Sequence, residues 1–147
     1  MTQIPINIFH TNIEKDTLEN TYYRKVINTT NNQQLVLMSL KPSEDISCEI
    51  HKDIDQFFRI EKGLGLALTS KIPFCDNPHE SIVRTILKDG DVLMIPAGTY
   101  HQIINTSHTD HLKLYSIYSP KEHSPDRIDI NRPIKGDKKK YKLLKIK

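Results

Sequence analysis

Short strand-forming segments, separated by turn residues at fairly regular intervals, fill the middle of this 147-residue chain and constrain its fold most. Each segment is rich in aliphatic and aromatic residues and ends at a cluster of Gly, Pro, Asn, Asp or Ser, as β-strands joined by turns do. A helical turn is predicted only for residues 13–20. The pattern favours an antiparallel β-sandwich or β-barrel. Strands are predicted at residues 35–40, 56–60, 64–69, 81–87, 91–95, 102–105 and 112–118.

The length and composition are those of one globular domain. No apolar run reaches the roughly 18 residues of a membrane-spanning helix, and the first ten residues lack the basic and apolar regions of a signal peptide. We therefore expect a cytoplasmic protein that does not cross a membrane, with Cys48 and Cys75 as reduced thiols. An N-terminal segment is predicted at residues 1–19, the barrel at 20–120 and a polar, Lys-rich tail at 121–147.

The net charge of +3 is unevenly distributed along the chain. Residues 135–147 contain seven lysines and one aspartate, so this stretch carries +6 and the rest of the chain −3. Such a tail could contact nucleic acid or an anionic surface. The sequence has no base-reading module and no aromatic residues interleaved with a basic patch, so a solvated tail is the expected state and nucleic acid is not an expected partner.

One stretch of 16 residues, GDVLMIPAGTYHQIIN, has the spacing G-x5-P-x-G-x2-H-x3-N. At average residue frequencies, a chance match to these five positions is expected about once in 10⁴ sequences of this length. Gly90 ends a hairpin, Pro96 and Gly98 allow a tight turn, and His101 then opens the next strand with Asn105 further along it. The stretch resembles the second motif of the cupin superfamily.

The first cupin motif, G-x5-H-x-H-x3–4-E-x6-G, is similar to an altered segment that ends at Gly63. Aligning the two at this glycine places Gln56 at the usual Glu position and His51 at the second His. Glu49 then stands at the first His, and Ser43 replaces the opening Gly. In an extended strand, residues two apart project to the same face, so Glu49 and His51 are expected to share one.

Together with residues 34–40 and 112–120, these motifs resemble a family of small single-domain cupins, described as mannose-6-phosphate-isomerase-like or RmlC-like. The resemblance covers roughly residues 18–123. It implies an all-β, double-stranded β-helix (the cupin jelly-roll barrel), which commonly forms a homodimer and binds a small molecule inside the barrel. In this family the E-x-H-x4-Q form of the first motif is usual. A fold of this kind does not by itself define a reaction.

The resemblance predicts one divalent metal ion held by Glu49, His51, Gln56 and His101. Two imidazoles and a carboxylate favour Fe(II) or Mn(II), and Ni or Zn remain alternatives. Asp53 and Asp55 are rivals for the carboxylate position, although their register fits an outward or loop position better. The other interpretation is a metal-free polar cluster, whose buried members would each need a hydrogen-bond partner.

Two classes of function follow from this sequence. The first is a metal-dependent enzyme with isomerase-type or dioxygenase-type chemistry on a small metabolite, and the second is a non-catalytic metabolite- or metal-binding module. No catalytic residue is assigned. A sugar-phosphate substrate would need a cationic anchor, but Arg59 is expected to face away from Gln56. His108, His111 and His123 are expected to be exposed.

Overall fold

The computed structural model describes Ile4 and residues 6–134. The lysine-rich stretch 135–147 lies outside these described residues. The elements are α1 (Ile13–Glu19), β1 (Arg24–Thr29), β2 (Gln34–Leu40), β3 (Asp45–Glu49), β4 (Asp55–Lys62), β5 (Leu64–Ser70), β6 (Val83–Lys88), β7 (Val92–Ile95), β8 (Tyr100–Asn105), β9 (Leu112–Ser119) and β10 (Ile128–Asp129).

The strands form two antiparallel sheets that enclose a common core. The larger sheet has the order β10-β1-β2-β9-β4-β7, and the smaller one has the order β3-β8-β5-β6. The predicted all-β jelly-roll barrel is therefore confirmed. No helix among the described residues is long and apolar enough to span a membrane.

Alternating burial along the strands defines the inner face of each sheet. In β4, Gln56, Phe58 and Ile60 are buried, whereas Phe57 and Arg59 between them are partly exposed. Directly opposite residues in an antiparallel pair project to the same face, and the strand period is two residues. Gln56 therefore faces the interior of the barrel, and Arg59 faces away from it, as the sequence predicts.

All seven predicted strands have a counterpart, and the predicted helical turn is α1. Asn12 caps this helix by accepting a hydrogen bond from the Lys15 amide at 3.0 Å. The strand predictions missed β1, β3 and β10. Each of these carries polar or charged residues among its apolar ones, so the alternation signal is weak.

The chain continues along the barrel after β9 and a cis Ser119–Pro120 peptide bond. β10 pairs with β1, and Arg24 forms a 2.7 Å ion pair with Asp129. Arg132 binds the Asp45 carboxylate in β3 at 2.8 Å. Residues 121–134 are therefore attached to both sheets by side-chain contacts.

Candidate metal centre

A bulge in β3 turns Glu49 towards the interior of the barrel. Ile46 lies opposite Ile103 in β8, but the register shifts before the next pair, which is Glu49 opposite His101. With an unbroken register, Glu49 would lie opposite Tyr100 and project to the other face. The extra residue in β3 therefore places the Glu49 carboxylate on the face of β8 that carries His101 and Ile103.

His51 lies just beyond the end of β3 and is fixed by the tight turn of the second motif. Its backbone carbonyl accepts a hydrogen bond from the Gly98 amide at 2.8 Å. Gly98 has a φ of 79°, a conformation that favours glycine. The P-x-G turn thus holds the backbone of one candidate ligand close to the strand that supplies another.

His101 is buried at the start of β8, with a side chain that is 1% exposed. Its Nδ1 atom lies 3.0 Å from the Thr99 carbonyl oxygen, so this nitrogen carries the proton that is donated to it. In the neutral imidazole, Nε2 is then the nitrogen that has the free lone pair. This buried atom makes no hydrogen bond within the described part of the chain.

Glu49, His51 and His101 bring one potential ligand atom each within 4.8 Å of one another. Glu49 Oε1 lies 3.2 Å from His51 Nε2 and 3.4 Å from His101 Nε2. The two ring centroids are 5.4 Å apart. Three of the four residues predicted as ligands are therefore neighbours with their potential ligand atoms close together.

The electrostatics of this cluster keep the carboxyl ionised. Burial alone raises the pKa of Glu49, but polar contacts with His101 and His51 outweigh burial and hold the pKa well below its usual value. Burial lowers the pKa of His51, whereas Glu49 and Glu122 raise it, and the net shift is upward. A carboxylate between two imidazoles is a donor set suited to a divalent cation.

Gln56, the fourth predicted ligand, is buried on the inner face of β4 opposite Tyr118. Its Nε2 atom donates to Ser116 Oγ at 2.9 Å, while its Oε1 atom has no hydrogen-bond partner among the described residues. Buried polar atoms are rarely left without a partner, and an unpaired one costs about 1–3 kcal/mol. Gln56 Oε1 and His101 Nε2 are thus both buried without a hydrogen-bond partner among the described residues.

The two rival carboxylates take other positions. Asp53 and Asp55 are exposed, and Asp55 Oδ1 accepts a hydrogen bond from the Ala97 amide at 2.8 Å. Neither belongs to the three-residue cluster. Asp55 instead connects β4 to the turn of the second motif.

Two residues beyond the matched motifs also lie at this site. Glu122 Oε2 is 3.6 Å from His51 Nδ1. His123 packs edge-on against Tyr118 with ring centroids 5.0 Å apart, so the expectation that it is exposed was wrong: it is partly buried. The sequence gives no signal for either residue, because both follow the last strand of the motif region.

The cysteines also differ from expectation, because Cys48 and Cys75 form a disulfide with Cα atoms 5.4 Å apart. Cys48 lies in the bulged part of β3, next to Glu49, and Cys75 lies in the loop between β5 and β6. The two cysteines are 27 positions apart in the sequence, which hides this proximity. The disulfide connects the loop to the strand end that carries a candidate ligand.

The fold, the P-x-G turn and the inward-facing His and Glu define a cupin, and comparison with known proteins agrees. Residues 36–118 match the cupin domain family, and the protein belongs to this family.

Two curated relatives are uncharacterised proteins. A protein of Acanthamoeba polyphaga mimivirus is 54% identical over 129 residues, which cover 88% of this chain and 76% of the relative. YrkC of Bacillus subtilis (strain 168) is 42% identical over 115 residues, which cover 78% of this chain and 59% of YrkC. This chain thus spans less than two thirds of the length of YrkC.

A solved structure supports the same assignment. The crystal structure of a Bacillus halodurans protein matches with a TM-score of 0.77 and 38% identity. The match covers 84% of this chain and 89% of that protein.

Proposed function

We propose that this protein is a metal-binding cupin that binds and acts on a small metabolite at one divalent metal ion inside the barrel. The observation that carries the proposal is that Glu49, His51 and His101 each bring one potential ligand atom within 4.8 Å of the others, with Glu49 Oε1 3.2 Å and 3.4 Å from the two histidine Nε2 atoms. The unpaired buried carbonyl of Gln56 supports its place as a fourth ligand. Fe(II) or Mn(II) suits this set best, with Ni or Zn as alternatives.

A bound divalent ion supplies Lewis acidity, or dioxygen activation if it is redox-active. The residues of the chain determine how a metabolite reaches the centre. The imidazole side is closed, since the His51 and His101 side chains are 8% and 1% exposed, whereas the Glu49 side chain is 32% exposed. A metabolite therefore approaches along the carboxylate side.

Arg59 does not provide the cationic anchor that a sugar phosphate would need at this site. Arg59, a cation within the first motif, lies on the side of β4 that carries Phe57 and forms an ion pair with Glu61. The charge of Arg59 is therefore paired away from Glu49, His51 and His101. We therefore favour a hydroxyl or carbonyl compound, with dioxygenase-type or isomerase-type chemistry, over a sugar phosphate.

We also propose that the protein forms a homodimer. Phe57 stacks on Tyr115 with ring centroids 6.1 Å apart on the outer face of the larger sheet. A groove of about 240 Å³ beside them is lined by Met94, which is 78% exposed, and Ile117. This apolar face is the place where a second copy would pack, and sedimentation equilibrium would measure the stoichiometry.

We also propose a cytoplasmic location, which the redox state of Cys48 and Cys75 in cells would test directly. Disulfides persist mainly in oxidising compartments. Thiol labelling in cells, followed by mass spectrometry of the Cys48 and Cys75 peptides, would report whether the protein resides in a reducing compartment.

The experiment that tests the function is reconstitution with Mn(II), Fe(II), Ni(II) or Zn(II), followed by calorimetric titration. The parent is expected to bind about one equivalent, His101→Ala none, and the matched control His108→Ala, which changes an exposed histidine, one equivalent. Turnover of a hydroxy or carbonyl compound that is lost in His101→Ala would identify an enzyme. Tight binding of such a compound without product would identify a binding module instead.

A further inference from the structure

The backbone directly after the cis proline is fixed by one buried side chain. The Oε1 atom of Gln34 accepts hydrogen bonds from the amides of Glu122 at 3.1 Å and His123 at 2.9 Å. Its Nε2 atom donates to the His123 carbonyl at 2.7 Å and to Thr29 Oγ1 at 3.0 Å. Gln34 is fully buried, so its hydrogen-bonding groups hold this short segment in one position.

The held segment places a second carboxylate at His51. Glu122 Oε2 is 3.6 Å from His51 Nδ1, while Glu49 Oε1 is 3.2 Å from Nε2 at the opposite end of the same ring. Tyr118 packs edge-on against His51 with centroids 5.7 Å apart and an interplanar angle of 84°. The ring therefore has a carboxylate at each nitrogen and an aromatic wall beside it.

The two imidazoles of the candidate centre have similar neighbours at their ring nitrogens. His101 presents Nε2 to Glu49 and Nδ1 to the Thr99 carbonyl. His51 also presents Nε2 to Glu49, and its Nδ1 faces the Glu122 carboxylate. Histidine ligands of metals usually donate the other ring N–H to a carboxylate or carbonyl, which fixes the tautomer and raises the basicity of the ligating nitrogen.

We propose that Glu122 is the positioning residue for His51. In this role Nδ1 would carry the proton and donate it to Glu122 when a metal is bound, and Nε2 would present its lone pair to the ion in place of its 3.2 Å hydrogen bond to Glu49. Glu122 would not ligate the metal itself. The 3.6 Å separation exceeds a hydrogen bond, so the proposed role requires the Glu122 side chain, which is 33% exposed, to move closer to Nδ1. The inference rests on the proposed metal site and assigns a role to a residue beyond both cupin motifs.

The first test is a competition titration of Zn(II) between the protein and a chelating indicator. Glu122→Ala is expected to bind Zn(II) about 10–100-fold more weakly than the parent, the usual loss for such partners. Glu122→Gln is expected to recover part of this loss, because its amide oxygen still accepts the Nδ1 proton. Lys121→Gln, which changes the exposed neighbouring residue, is the matched control and should equal the parent.

The second readout is the ring N–H proton in the NMR spectrum of the Zn(II)-loaded protein. The parent should show slowly exchanging Nδ1–H signals for His51 and His101, and Glu122→Ala should lose only the His51 signal. Parental affinity and an intact His51 signal in Glu122→Ala, with binding still abolished by His101→Ala, would overturn the role of Glu122 alone. Failure of the parent itself to bind Zn(II) or any other divalent ion would overturn the metal site and this inference together.

Discussion

Glu49 and His101 lie opposite each other in the β3–β8 pair, and they do so because β3 contains one extra residue before Glu49. The resulting distance between Glu49 Oε1 and His101 Nε2 is 3.4 Å. A bulge that redirects a side chain at the rim of a barrel is a common feature of functional sites. Here it converts an otherwise outward glutamate into the carboxylate of the candidate centre.

The charge of Glu49 should control metal affinity. Glu49→Gln keeps the size of the side chain but removes the anionic oxygen that faces both imidazoles, so Mn(II) should bind at least about tenfold more weakly than in the parent. Mn(II) electron paramagnetic resonance titration measures the free ion directly. The exposed Glu14→Gln is the control, and equal affinities for Glu49→Gln and the parent would remove Glu49 from the ligand set.

Gln56 gives a sharper distinction between a metal ligand and a buried polar residue. If its Oε1 is a ligand, Gln56→Leu weakens Mn(II) binding by about tenfold or more. If it is not a ligand, the substitution removes an unpaired buried oxygen and leaves affinity unchanged, at the cost only of the hydrogen bond to Ser116. Ser116→Ala controls for that bond, because it removes the partner and retains the amide oxygen.

The disulfide should contribute substantially to stability. Closing a loop between residues 27 apart is expected to stabilise the folded state by on the order of 3 kcal/mol. Urea unfolding of the parent with and without a dithiol reductant measures this difference. Cys75→Ser should match the reduced parent and be insensitive to reductant, whereas an unchanged midpoint in the reduced parent would show that the disulfide adds no stability.

His123 should destabilise the fold when it becomes charged. Burial, together with Arg24 and Arg127, lowers its pKa from 6.5 to about 4. Between these values the unfolded chain binds a proton that the folded chain does not, so stability is lost as the pH falls from 6.5 towards 4. An NMR titration of the ring should have its midpoint near 4.

The matched variant for this prediction is His123→Phe, which keeps a ring against Tyr118 but cannot be protonated. It should lose less stability than the parent between pH 7 and pH 4, as measured by urea unfolding at the two values. A ring titration midpoint near 6.5 in the parent would contradict the burial of His123.

The features that could be predicted from the sequence are local ones. The P-x-G turn before His101 and the inward position of Gln56 follow from turn chemistry and from the two-residue strand period. The sharing of one face by Glu49 and His51 was predicted from the same period, although the β3 bulge that turns Glu49 inward has no sequence signature.

The features that could not be predicted depend on residues far apart in the chain. The contact of Glu122 with His51 requires Gln34 to hold the segment after β9, and the disulfide requires the loop that carries Cys75 to reach β3. These are tertiary contacts that strand periodicity and turn residues do not encode.

The central claim is that Glu49, His51 and His101 bind a metal ion, and the most direct measurement is elemental mass spectrometry of untagged protein purified without chelators. The parent should contain about one equivalent of Fe, Mn, Ni or Zn, and the Glu49→Ala/His51→Ala/His101→Ala triple variant none. A folded parent without metal, which none of these ions reconstitutes, would contradict the account.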